Sequence, residues 1–360
     1  MSHKTDQESN DLQDDAHAAS VIPESIADGV DEDVVEPNRR LFTGWQFVLF
    51  AALAIAYSSF HLISLNVYPM ETWSFRIVHI AGALILGYGL FSGARFADDD
   101  HQASGAWIKW LSYALLIPAA YTLAQVFVMY QTLSGGAMRI DPNIENWHYG
   151  YPLMATTATA IVLSWFYRQA QHRFNPADLV LMVCALASAG YLLVAYNTNI
   201  RMSTGTSFAP AGISWAAIAG SLLILELTRR VAGLALVVIS AVFLTYVFAG
   251  PYLPGFLGYP GLSLQRFFSQ VYTDAGILGP TTAVSSTYII LFIIFAAFLQ
   301  ASKVGDYFVN FAFAAAGRAR GGPAKVAIFA SGLMGMINGT SAGNVVSTGS
   351  LTIPLMKKVG

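Results

Sequence analysis

One cysteine, Cys184, stands among 360 residues, so an intrachain disulfide and a cysteine-rich metal site are both excluded. It sits in an apolar run and reads as a small buried hydrophobe. Charge is scarce too: 11% of the residues are charged while 55% are hydrophobic, a balance foreign to soluble domains of this size. The chain therefore reads as an integral membrane protein. No histidine pair has metal-ligand spacing. "GRARGGPAK" (Gly317 to Lys325) has glycines and a lysine, but it lacks the glycine-lysine-hydroxyl ending and the preceding strand of a phosphate loop. Catalysis finds no support, so no enzyme activity, no organic cofactor and no nucleic-acid partner is expected.

The few charges are unevenly placed. Of the 21 acidic residues, 11 lie in the first 40 positions, among Ser, Asn, Gln and Ala, so residues 1–40 read as a disordered acidic cytoplasmic tail. This segment lacks the basic, apolar and small-residue order of a cleaved signal peptide. Arg39 and Arg40 stand directly before the first apolar run, and the first helix is expected to stay as an anchor.

About 20 apolar residues are needed to cross a bilayer core of ~30 Å. Spans are expected at 45–65, 75–93, 107–131, 150–168, 178–196, 212–228, 231–250 and 284–302. The fourth, "YPLMATTATAIVLSWFY", is threonine-rich and interrupted by Pro152. With the N-terminus inside, 15 of the 19 Lys and Arg residues fall on the cytoplasmic side, and only Arg76, Arg139, Arg201 and Arg266 fall opposite. Cytoplasmic flanks carry such an excess, which supports both the orientation and the alternation of about eight spans.

One polar cluster interrupts the apolar pattern: "MGMINGTSAGNVVSTGSLTIPLMKK" (Met334 to Lys358). Lys325 and Lys357 belong to the same basic side, yet the 31 residues between them carry no charge. Two helices of about 12 residues, each rising roughly 18 Å, would enter and return. "NGTSAGN" is then the tip of a re-entrant hairpin, and irregular backbone at that depth is tolerated only beside protein or a watery cavity. Backbone carbonyls, amide and hydroxyl oxygens and converging helix ends suit a dehydrated cation such as sodium beside an anionic substrate. The alternative is one long helix in which Gly335, Gly339 and Gly343 form a small-residue packing face and the hydroxyls bond their own helix.

"GGPAKVAIFASGLMGMINGTSAGNVVSTGSLTIPLMKKVG" (Gly321 to Gly360) resembles the first-hairpin region of the large membrane subunit of tripartite ATP-independent periplasmic (TRAP) transporters. "LELTRRVAG" (Leu225 to Gly233), "GPYLPG" (Gly250 to Gly255) and "VSSTYIILFIIFAAFLQASKVGDYF" (Val284 to Phe308) resemble the same subunit. The N-terminal part is similar to the small four-helix subunit through its span count and "RIVHIAGALIL" (Arg76 to Leu86). Both in one chain resemble the fused form common among members paired with TAXI-type binding proteins. The resemblance implies an elevator-type secondary transporter in the bacterial inner membrane. Its implied activity is sodium-coupled uptake of an organic acid, usually a carboxylate, delivered by a periplasmic solute-binding protein.

Asn338, Gly339 and Thr340 stand where the family usually has Ser-Gly-Ser. With Ser341 and Gly343 they are the expected sodium site, and Ser341, Asn344 and Ser347 the expected substrate contacts. Ala342 completes the tip. The family's second inverted half is not seen before Gly360, so the chain is expected to be the N-terminal part of a longer transporter. The implied organisation is a scaffold-like bundle over 41–170, a connecting span over 171–205 and the first part of the transport subunit over 206–360, its first hairpin near 325–357.

Other polar residues have plainer readings. Glu226 precedes Arg229 and Arg230 by three and four residues, the spacing of a helical ion pair. His61 and His79 lie within spans and read as hydrogen-bonded structural histidines rather than proton relays. Lys325 reads as a snorkelling charge that fixes depth. Residues 303–320 read as an arm helix at the cytoplasmic interface. Asn338-Gly-Thr matches a glycosylation sequon that a membrane would hide. The functional alternative is a non-transporting scaffold or assembly protein held by glycine-mediated packing. A channel would need a charged or carbonyl-lined pore, and the spans show no acidic ring.

Overall fold

The computed structural model describes residues 38–96, 105–195, 202–206, 208–302, 304–336, 344–345, 348–349, 352–353 and 356–357. The tail expected over residues 1–40 lies almost wholly outside them. Regular structure among the described residues is helical, apart from one isolated bridge between Arg39 and Phe91. The helices are α1 (Gly44–Asn66), α2 (Thr72–Leu90), α3 (Ala106–Ser134), α4 (Tyr151–Phe166), α5 (Pro176–Ala195), α6 (Ala211–Val231), α7 (Leu234–Ala249), α8 (Leu264–Val271), α9 (Pro280–Val284), α10 (Ile290–Ala301), α11 (Val304–Ala316) and α12 (Gly322–Met334). π-Helical turns at Ile144–Gly150 and Ser285–Ile289 lead into α4 and join α9 to α10.

Among the described residues, seven stretches are long and apolar enough to cross a membrane: α1, α2, α3, α5, α6, Leu234–Tyr252 and Pro280–Leu299. The protein is a polytopic helical membrane protein. The eighth expected span, 150–168, is the shorter α4 of 16 residues. Pro152 falls in its first turn, directly after the π-helical turn Ile144–Gly150, where the irregular bonding of the wider turn accommodates a residue without an N–H donor.

The described residues form two compact units, 38–291 and 292–357. In the first, α5 is central and touches α2, α3, α4 and α6. It was expected only as a connecting span, yet it contributes the fully enclosed Leu181, Tyr191 and Leu192 to the core. Lipid tails are as apolar as leucine, so burial alone does not hold such helices together; close van der Waals approach does. Glycines in α6 supply it. A Cβ on Gly212 would lie 2.3 Å from Tyr191, and one on Gly220 2.7 Å from Tyr272. Asn175 caps α5, its side-chain oxygen accepting from the Ala177 amide at 2.8 Å, and Pro176 follows as the first helical residue. Gly233 adopts φ 84°, a left-handed value that lets α6 turn directly into α7.

One buried charge network ties this unit together. Asp178, in the first turn of α5, pairs with Arg40 and, at 2.8 Å, with Arg230. Arg230 also pairs with Glu226 at 2.8 Å, as does Arg229. The helical ion pair expected around Glu226 is thus present as part of a larger cluster. Trp165 donates to Glu226 at 2.9 Å, Arg230 to Ser164 at 2.9 Å, and Arg40 to the Tyr88 and Gly89 carbonyls at 2.8 and 2.9 Å. These bonds join α2, α4, α5, α6 and the segment before α1. Asp178 at a helix start and the arginines at a helix end also suit the helix dipoles.

In the second unit, α11 packs Val309, Ala312 and Ala316 against Val326 and Ala330 of α12. The arm helix expected over 303–320 is therefore the shorter Val304–Ala316, with one side on its neighbour. Gly321 at φ 73° starts α12.

Candidate functional site

α12 is apolar and runs to Met334, where the glycine-rich stretch ends it. Beyond it, Asn344 Nδ2 donates to the Ser331 carbonyl at 3.0 Å and to Ser331 Oγ at 3.1 Å. In a continuous helix, residues 13 apart are separated by roughly 20 Å, so the chain must double back between Ser331 and Asn344. This geometry rules out the single long helix with its Gly335, Gly339 and Gly343 stripe. The described residues of the returning segment, 344–345, 348–349, 352–353 and 356–357, are helical. Thr348 Oγ1 donates to the Asn344 carbonyl at 2.8 Å and Thr352 Oγ1 to the Thr348 carbonyl at 2.7 Å, the backward bonds that hydroxyls make to their own helix.

Asn344 is the one expected site residue among the described ones. Asn338, Gly339, Thr340, Ser341, Ala342, Gly343 and Ser347 lie outside them. A carbonyl only accepts hydrogen bonds, so the contact with the Ser331 carbonyl fixes the Asn344 NH2 on that side. Its Oδ1 is buried with no hydrogen-bond partner among the described residues. A buried amide oxygen without a donor is costly unless something else satisfies it. Ser331, which the sequence reading passed over, sets this orientation. Lys325 is exposed near the start of α12.

In the first unit, a separate cavity of about 650 Å³ is lined chiefly by apolar groups, with Arg139, Glu145, Asn146 and Trp215 among its polar walls. Glu145 is 2% exposed. It accepts from Tyr191 Oη at 2.6 Å and from the Gly212 amide at 3.3 Å, and so caps the start of α6 from a distance. Burial pushes its carboxyl above the usual value, against the opposing pull of those hydrogen bonds and of Arg139. His61 and His79, expected as hydrogen-bonded structural residues, bond to one another at 2.9 Å. Among the described residues no cluster of three or more His, Cys, Asp or Glu is placed to hold a metal ion.

No curated protein and no solved structure matches the chain. Residues 219–360, from within α6 through the fold-back, match the family model described as the tripartite ATP-independent periplasmic transporter, DctM component, and over that segment the chain is similar to a TRAP-type transporter permease, which supports the resemblance seen in its sequence.

Proposed function

We propose that this permease carries out sodium-coupled uptake of an organic acid, a carboxylate, across the bacterial inner membrane, receiving it from a periplasmic solute-binding protein. The N-terminus lies on the cytoplasmic side in this reading, and the fold-back is a re-entrant hairpin with its tip at mid-membrane. The observation that carries the proposal is the buried, unpartnered Oδ1 of Asn344 beside the turn.

Sodium is a hard cation and prefers oxygen ligands of this kind. α12 ends at the turn, so its last carbonyls put partial negative charge there and favour a cation. The returning segment is helical from its first described residue, Asn344, and the start of a helix favours an anion. One turn thus offers cation and carboxylate adjacent places. Asn338, Gly339, Thr340, Ser341 and Gly343 would supply further oxygens to the ion. Ser341, Asn344 and Ser347 would face the substrate. An ion held at the tip fixes the hairpin in the geometry that accepts the acid, so the ion gradient does work on the substrate.

The test is sodium-dependent uptake by the full-length permease with its binding protein, comparing wild type with Asn344→Ala after checking insertion. Loss of uptake, or a tenfold or greater rise in the sodium needed for half-maximal rate, is expected. Unchanged uptake removes Asn344 from the site. Ser331→Ala, which leaves the orienting backbone carbonyl in place, is expected to have the smaller effect.

A further inference from the structure

His61 on α1 and His79 on α2 are 0% and 8% exposed, and their contacts form a continuous chain. His61 Nδ1 is 2.8 Å from the Tyr57 carbonyl, and His61 Nε2 is 2.9 Å from His79 Nδ1. Tyr57 Oη lies 2.9 Å from both the His79 carbonyl and His79 Nδ1. His79 Nε2 is 3.2 Å from Ser285 Oγ, at the start of the π-helical turn.

Hydrogen positions follow from what each group is able to do. The Tyr57 carbonyl only accepts, so His61 Nδ1 carries a hydrogen and its Nε2, in the neutral ring, is bare. The His79 carbonyl also only accepts, which takes the Tyr57 hydroxyl hydrogen. His79 Nδ1 must then donate to His61 Nε2, and the remaining bare nitrogen, His79 Nε2, accepts from Ser285. The other neutral form of His79 would set two bare ring nitrogens against each other at 2.9 Å.

We infer that His61 and His79 form a single-proton binding site inside the bundle and that Ser285 reads whether it is filled. An added proton rests on His79 Nε2, or on His61 Nε2 after the bridging hydrogen shifts. In both cases His79 Nε2 becomes a donor, and Ser285 must change from donor to acceptor. Its own hydrogen then turns back to its helix, where the Thr281 carbonyl lies one turn behind. A second proton would make two adjacent cations, so the site closes after one.

Among the described residues, the contacts of the two rings are with uncharged groups. α1 presents Tyr57 and Phe60, and α2 presents Phe75. Arg76, one turn before His79, is turned to the Leu278 carbonyl at 2.6 Å. α9 has no ionisable residue. α5 and α6, also packed on α2, have their charges Asp178, Glu226, Arg229 and Arg230 near Tyr88, nine residues and roughly 14 Å further along the axis. On α5, Tyr191 is taken by Glu145, and Cys184 lies by Tyr88 and Tyr149. The hydroxyl of Ser285 is the polar group in contact with His79 Nε2, where the added charge first rests.

The experiment is an NMR pH titration of the 15N-histidine-labelled full chain in liposomes, with His61→Gln and His79→Gln used for assignment. Both rings are expected in the Nδ1–H form at neutral pH. Between about pH 8 and about pH 3.5, their signals should move together in one step worth a single proton. Ser285→Ala should lower that midpoint by about one pH unit, because a bond to the charged ring is stronger than one to the neutral ring. An Nε2–H form of either neutral ring, two separate steps, no uptake in this range, or an unshifted midpoint in Ser285→Ala overturns the proposal.

Discussion

The unit spanning 38–291 and the unit spanning 292–357 handle buried polarity in opposite ways. In the first, the polar centre is ionic: three arginines and two carboxylates interlock, and Asp178, Arg40 and Arg230 have fully buried side chains. In the second, the polar groups near the turn are neutral, and one oxygen, Asn344 Oδ1, is left without a donor. Charges that neutralise one another serve architecture, since desolvating them is tolerable only when they are paired. An unpaired neutral oxygen costs less and stays available for a visitor. In the proposed function the paired charges hold the bundle and the Asn344 oxygen meets the ion. The first unit also buries unpartnered polar atoms, at Arg40 Nε, Thr157, Asn175 and Ser221, but these are not part of the turn.

The strongest challenge to this contrast is Asp178→Ala, which leaves Arg40 and Arg230 buried without their shared counter-charge. A loss of about 3–5 kcal/mol is expected, read as a lowered unfolding midpoint in detergent. A loss below about 1 kcal/mol would mean that the network is not architectural. Asn344→Ala should do the reverse, abolishing uptake while changing stability by no more than about 1 kcal/mol.

A third variant sharpens the boundary between the two kinds of polarity. Glu145 is a lone carboxyl held by neutral donors, with its pKa raised by burial. A raised acid contributes stability that is fully present below the unfolded value of about 4.5 and is lost as pH rises through the folded value. Thermal midpoints should therefore fall as pH increases from about 4.5, and Glu145→Gln should flatten that slope. An unchanged slope would put the pH dependence elsewhere. The smallest effect belongs to Cys184→Ala, at on the order of 1 kcal/mol. That variant gives a background for Met336→Cys, beside the turn and 70% exposed. A tip bordering water predicts its rapid reaction with a water-soluble thiol reagent.

Much of the fold was legible because the bilayer sets helix length. The expected spans and the observed ones agree to within a few residues, and Glu226 with Arg229 and Arg230 could be read from helical spacing alone. Arg40 meeting Asp178 could not, since 138 positions separate them and only the packing order of helices brings them together. The same holds for Ser285 and His79. At the turn, the polar composition named the region, but the role of Ser331 depends on a backbone carbonyl, which has no signature in the residue type. The centrality of α5 was missed because its apolar sequence looks like that of any other span, while its neighbours decide how much of it is enclosed.

The arginines of the buried network also belong to an earlier moment in the life of the chain. In the proposed orientation, Arg40, Arg229 and Arg230 flank the cytoplasmic ends of α1 and α6, where basic residues hold a helix end during insertion. The residues that later lock the folded bundle thus first choose its topology. Substitution of Asp178 touches only the second task, because acidic residues weigh little in that choice. Replacing Arg230 touches both, so its failures should include molecules threaded the wrong way round.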